Sequence, residues 1–144
     1  MYRRQHISDF RIVLTFVVGL LFHFTMAQDI DEASAFNDVM HTVINDKPSS
    51  FEQLETLFKT YKRDSLKMKR LAATSSSISY TQGESYAFIH LGNIYRNISK
   101  YERAIDCHEK AEQLAVLGEN ISLQIISLNM LEINDSRTPF LKIS

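Results

Sequence analysis

Apolar residues along most of this chain recur every three or four positions between short polar breaks, a spacing that predicts about five or six helices and no strand. The first helix runs from Asp31 to Ile44. Ala33, Phe36, Met40, Val43 and Ile44 share one face, and the acidic residues stand at the start, where the helix dipole favours them. Asn45-Asp-Lys-Pro-Ser-Ser50 breaks it. Ser50-Phe-Glu-Gln53 reads as a capping box opening a second helix, with apolar positions Phe51, Leu54, Leu57, Phe58 and Tyr61. Asp64 caps a third helix towards Ser79, carried by Leu66, Leu71, Ala72 and Ile78. Thr74-Ser-Ser-Ser77 weakens it, because these side chains compete for the backbone. A turn is expected at Thr81-Gln-Gly-Glu84.

The next two segments, Ser85 to Arg96 and Tyr101 to Ala111, form two amphipathic helices joined by a turn of about three or four residues. Phe88, Leu91, Tyr95 and Ile98 make the stripe of the first. Gly92 interrupts it at a cost of about 1 kcal/mol relative to Ala, which points to a close helix contact there. Ala104, Cys107 and Ala111 share a face of the second. Gly118 fits the left-handed position that closes a helix. Beyond it Ile121, Ile125, Leu128 and Leu131 outline a last helix, stopped by Asn134-Asp-Ser-Arg-Thr-Pro139.

The head of the chain has a different pattern. Arg3, Arg4 and Arg11 lead into an apolar run from Ile12 to Phe24, followed by Thr25-Met-Ala27. A basic start, an apolar stretch and a small-x-small ending are the parts of a secretory signal peptide, cut after Ala27. A membrane-spanning helix needs about 20 apolar residues, and this run is shorter and holds His23. The expected organisation is a signal peptide at 1–27, an N-terminal helix at 28–49, helical repeats at 50–134 and a tail at 135–144. An uncleaved N-terminal anchor is the alternative. Net charge is −1, and removing the leader takes it to about −3, a balance that favours neither nucleic acid nor an anionic membrane. Cys107 is the only cysteine, so no intramolecular disulfide forms.

Phe88, Leu91, Gly92 and Tyr95 in one helix, with Ala104 and Ala111 in the next, resemble a tetratricopeptide repeat. Leu57, Phe58 and Tyr61 stand 34 places before Leu91, Gly92 and Tyr95, the family's usual period, with Phe58 in place of the Gly. Gly118 to Glu132 resembles the first helix of a following unit. His108 stands where the family has an aromatic or large apolar residue, and Val116 where a Pro often closes the unit. The resemblance covers Ser50 to Asn134. It implies an all-α fold of antiparallel helix pairs stacked as a short solenoid, in which no unit buries its apolar face without neighbours. It further implies a concave face lined by the first helix of each pair, where Tyr86, Ile89, Asn93 and Arg96 would meet a protein or peptide partner. Asn93 matches the family's peptide-carboxylate binders, but Ile89 stands where they hold a Lys.

The phrase from Ala111 to Asn120, followed by Ser127-Leu-Asn129, is similar to exported repeat regions of bacterial sensor histidine kinases and regulators. That similarity implies a periplasmic or secreted interaction module, or the sensor region of a membrane kinase or transcriptional regulator. The chain has no second apolar span and no His-Glu-x-Arg motif.

Little else in the chain points to chemistry. His41, His90, His108 and Cys107 lack the spacing of a structural metal site, and adjacent Cys107 and His108 diverge by about 100° on a helix. The run Lys59, Lys62, Arg63, Lys67, Lys69, Arg70 reads as a solvated face. Asn97-Ile-Ser99, Asn120-Ile-Ser122 and Asn134-Asp-Ser136 match the glycosylation triplet. No nucleotide loop or nucleophile motif appears. The expectation is a non-enzymatic protein without cofactor or metal, binding protein rather than nucleic acid, with self-association through the apolar C-terminal helix. A small secreted enzyme is the third reading.

Overall fold

The computed structural model describes residues 32–136 and Val17. The expected leader, apart from Val17, and the tail beyond Ser136 lie outside the described residues. Two compact units divide the chain, one up to Asp38 and one from Val39 onward. The described residues form six helices and no strand: α1 over 32–46, α2 Phe51–Phe58, α3 Ser65–Ser77, α4 Thr81–Asn97, α5 Tyr101–Leu117 and α6 Ile121–Asp135. The fold is all-α, in accord with the repeat-like stacking of helices that the sequence predicts.

Local chemistry sets the boundaries. The Ser50 hydroxyl accepts from Gln53 N while the Gln53 side chain accepts from Ser50 N, closing a capping box at the start of α2. Asp64 accepts from Leu66 N and Lys67 N at the start of α3. In α1, Phe36, Met40 and Val43 are buried, while Ala33 and Ile44 of the expected face are exposed.

Three connections share one construction. Ser79, Ser99 and Glu119, twenty residues apart, take φ of 53°, 59° and 53°. In each case that residue donates to the carbonyl three before it: Ser79 to Ser76, Ser99 to Arg96 and Glu119 to Val116. The following residue reaches back five, Tyr80 to Ser75, Lys100 to Tyr95 and Asn120 to Ala115, at 2.8 to 2.9 Å. This is the paired bonding of a Schellman cap, and it returns each helix against the last. The expected turn at Thr81–Glu84 is therefore the first turn of α4, and the reversal occupies 78–80.

Gly118 also departs from expectation: its φ is −88°, and Glu119 holds the left-handed position. A Cβ on Gly118 would lie 2.4 Å from Thr81 Oγ1, so this glycine serves the close approach of α5's end to α4's start. The loop at 47–49 is clasped from those turns: Lys47 Nζ donates to Ile78 O at 3.2 Å, Tyr80 OH to Pro48 O, and Asn120 Nδ2 to Ser49 O at 2.9 Å.

From α3 onward each helix packs against the next, and α4, in the middle, also meets α2 and α6. Leu54, Phe58, Met68, Leu71, Tyr86, Ile89 and Leu123 fill the core. Two helices depart from their expected apolar faces, α3 at one position and α6 at most of them. In α3, Leu71 and Ala72 are buried as the spacing predicts, with Met68 and Ser75 beside them, but Leu66 is exposed. In α6 the buried positions are Leu123, Ser127 and Asn134, while Ile121, Ile125 and Leu128 of the expected stripe face solvent. Ser127 Oγ bonds Leu123 O and the Asn134 amide lies 3.4 Å from His108 Nδ1, which lets polar side chains occupy that inner face. No described helix is long and apolar enough to cross a membrane.

Candidate functional site: the face of α4 between α2 and α6

Positions 86, 90 and 93 of α4 follow one another by four and three residues and so share a helical face. Tyr86 is fully buried there, with its ring centroid 5.6 Å from Phe51, 5.8 Å from Phe58 and 4.4 Å from His90. Its hydroxyl donates to Glu55 Oε2 at 2.9 Å. Lys62 Nζ donates to the other oxygen of Glu55. His90 Nε2 stands 3.4 Å from Glu55 Oε2, near enough for electrostatic contact without an aligned hydrogen bond.

This grouping sets its own protonation. Burial alone would raise the Glu55 carboxyl, but the bonds from Lys62 and Tyr86 and the Lys62 charge outweigh that and hold it below its usual value. Burial pushes His90 down to about 4 despite the opposing pull of Glu55, so the imidazole is neutral at pH 7. Burial first, and the bond to Glu55 second, push the Tyr86 hydroxyl well up. The arrangement is an anionic carboxylate wedged among neutral donors and one ammonium. Such a cluster fixes the spacing of α2 and α4 more than it offers a reactive group.

Two of the four residues expected to meet a partner are placed differently from the expectation. Tyr86 and Ile89 were to stand exposed on a concave face; they are 0% and 1% exposed, drawn inward by the aromatic cluster and the core. Asn93 and Arg96 remain partly accessible. Asn93 Oδ1 is buried without a hydrogen-bond partner among the described residues, and Arg96 Nη1 lies 3.6 Å from the Met130 sulfur of α6. From sequence, His90 is weighed only as a metal ligand and Glu55 is passed over. The step of four from Tyr86 to His90 is the signal available for the histidine, and nothing local marks Glu55.

The residues expected to pack the central pair lie between α4 and its neighbours. Leu91, Gly92, Ala104 and Ala111 are buried, while Phe88 and Tyr95 are half-buried, Tyr95 under the Arg103 guanidinium at 5.9 Å. Ser85 Oγ donates to Ala111 O at 2.8 Å across the contact. A Cβ on Gly92 would sit 2.0 Å from His108 Nε2, so the His108 ring occupies the space that the glycine leaves. Burial, helped by the Arg96 charge, takes His108 down to about 4. Stripe residue Ile98 is exposed.

No known protein family, curated protein or solved structure matches the chain. Among the described residues no three of His, Cys, Asp and Glu converge as a metal would need. A cleft of about 460 Å³ beside Asp46, Pro48, Gln53 and Leu57 stands apart from the Glu55 cluster.

Proposed function

We propose that the chain is a non-enzymatic, exported interaction module of the tetratricopeptide type, binding a protein or peptide segment over α4 at its polar, partly accessible positions. The observation that carries this reading is the stacking of successive helices through one repeated turn, which leaves α4 flanked by α2 and α6 as in helical-repeat binding surfaces. Asn93 and Arg96 supply polar contacts, and Lys62 and Glu55 form the rim on the α2 side. Tyr86 and Ile89 support the surface from beneath. Export rests on the basic, apolar, small-residue succession at 1–27.

The test is a pull-down from envelope extract with the wild-type chain and an Asn93→Ala, Arg96→Ala double variant of unchanged circular dichroism. A partner retained by the wild type and lost by the variant supports the reading. A partner held equally by both moves the interface off α4, and enzymatic turnover by the purified chain overturns the non-enzymatic assignment.

A further inference from the structure

His108 stands where three helices meet. Its ring fills the notch left by Gly92 of α4, and its Nδ1 lies 3.4 Å from the amide nitrogen of Asn134 in α6. The residue is fully buried, and its Nε2 has no hydrogen-bond partner among the described residues. A neutral imidazole sits there at the cost of one unmade bond. An imidazolium would bring a second N–H and a full charge into the same space.

The surrounding charges do not relieve that load. From α4 the Arg96 guanidinium repels a positive ring, and α6 presents a neutral amide. Glu109 of α5 and Glu132 and Asp135 of α6 are exposed, Glu112 accepts from Gln124, and no carboxylate charge among the described residues offsets that of the ring. His90 differs. Glu55, itself bonded by Lys62, stands 3.4 Å from the His90 Nε2, so a proton taken up there meets an anion.

The two halves of α6 are held unequally. The first is fixed by the fully buried Leu123, by the Gln124 bond to Glu112 at 3.3 Å, and by Asn120, which caps the helix and clasps Ser49. Past Ser127, whose hydroxyl bonds its own helix, the one buried residue of α6 is the polar Asn134. Met130 and Leu131 are half-buried, so water reaches this end at little apolar cost.

We propose that the C-terminal half of α6, residues 128–135, is an acid-released latch: protonation of His108 lifts it off α5, pivoting near Ser127, while the rest of the helical stack stays folded. In the closed latch burial and the Arg96 charge take the ring from its ordinary 6.5 to about 4. The closed state is therefore fully favoured above about pH 6.5 and loses that advantage as pH falls towards 4. Between pH 7.5 and 4.5 the open fraction should rise about seventyfold. Opening also parts Arg96 from Met130, and with them one wall of the α4 surface. The latch does not depend on any partner of that surface.

Hydrogen exchange of the full chain tests it, read amide by amide by NMR as protection factors at pH 7.5 and 4.5, with the His108 imidazole titrated in the same samples. Residues 128–135 should be less protected than α4 and α5 at both pH values and should lose about seventyfold on acidification. A His108→Gln chain of native circular dichroism should lose that pH dependence. Protection in 128–135 equal to that of α4 and α5 would mean that this end opens only with the whole fold, and would overturn the latch. So would protection that does not change with pH, or an imidazole titrating near 6.5 while 128–135 stay protected. A His108→Gln chain that still loses protection there on acidification would overturn the assignment to His108. The wild-type readings decide even where Gln fails to hold α6 in place.

Discussion

Replacing Gly92 by Ala isolates the contact at the centre of the helix pair. In an exposed helix the change would stabilise by about 1 kcal/mol, since Ala is the better helix former. Here the new methyl would stand 2.0 Å from His108 Nε2 and 2.1 Å from its Cδ2, where non-bonded atoms settle near 3.5 to 4.0 Å. The ring must shift by about 1.5 Å or more, yet it is fully buried and its Nδ1 lies 3.4 Å from the Asn134 amide. Overpacking of this kind costs about 1–3 kcal/mol, and set against the propensity gain of about 1 kcal/mol it leaves a net loss of up to about 2 kcal/mol. Urea unfolding followed by circular dichroism at pH 7.5 measures it. The decisive arm is the same change in a His108→Ala background, where no ring opposes the methyl and Ala should stabilise by about 1 kcal/mol. The cycle should thus show a coupling equal to the overpacking cost, about 1–3 kcal/mol. A stabilising Gly92→Ala in the wild type, with an additive cycle, would refute the contact and with it the register of α4 on α5.

Acid should unfold the protein earlier than its surface carboxylates alone would. His90 and His108 are depressed to about 4 from an ordinary 6.5, so between those values the unfolded chain binds more protons; stability is complete above about pH 6.5 and falls towards pH 4 by up to about 3 kcal/mol per histidine. A urea midpoint unchanged between pH 7.5 and 4.5 would contradict this. At the third turn, Glu119→Gly should stabilise by about 0.5–1 kcal/mol by relieving a left-handed backbone, whereas Gly118→Ala should destabilise by driving a methyl against Thr81. Melting temperatures moving the other way would shift the turn by one residue. The Cys107 thiol, pushed up to about 11 chiefly by burial with Asp106 adding to it, should react with iodoacetamide at pH 8 roughly a hundredfold more slowly than free cysteine. Reaction at the free rate would mean an open, polar setting for that residue.

Where a structural signal is local, it was legible from the residues alone. The Ser50–Gln53 box and the Asp64 cap bond within three residues of themselves, so their spacing announces α2 and α3. The serine-rich end of α3 looked weak because propensity ignores neighbours; α3 lies along α4, and tertiary contact overrides the cost. Left-handed caps at Ser79, Ser99 and Glu119 gave no warning, since their side chains carry no glycine signal and paired backbone bonds offset the strain. Gly118 misled for the complementary reason: its missing side chain answers to Thr81, not to its own backbone. Periodicity marked an apolar face on α6 but says nothing of what covers it, and the inner face turned out to be the one holding Ser127 and Asn134. At the candidate site, Tyr86 lay on the face that the repeat pattern reserves for partners. Its neighbours Phe51 and Phe58 lie about thirty residues away in sequence, beyond any local pattern.

The even spacing of the three Schellman turns sets what lengths this scaffold tolerates. Starts at Thr81, Tyr101 and Ile121 make each helix with its turn a unit of one size, and two such units return the chain to its original direction. Duplicating a block of forty residues, one helix pair with its two turns, would repeat the caps in register. A single residue inserted inside α5 would instead rotate all that follows by about 100° and swing His108 away from Gly92. Growth by whole hairpins is therefore the one change of length that this architecture absorbs without repacking.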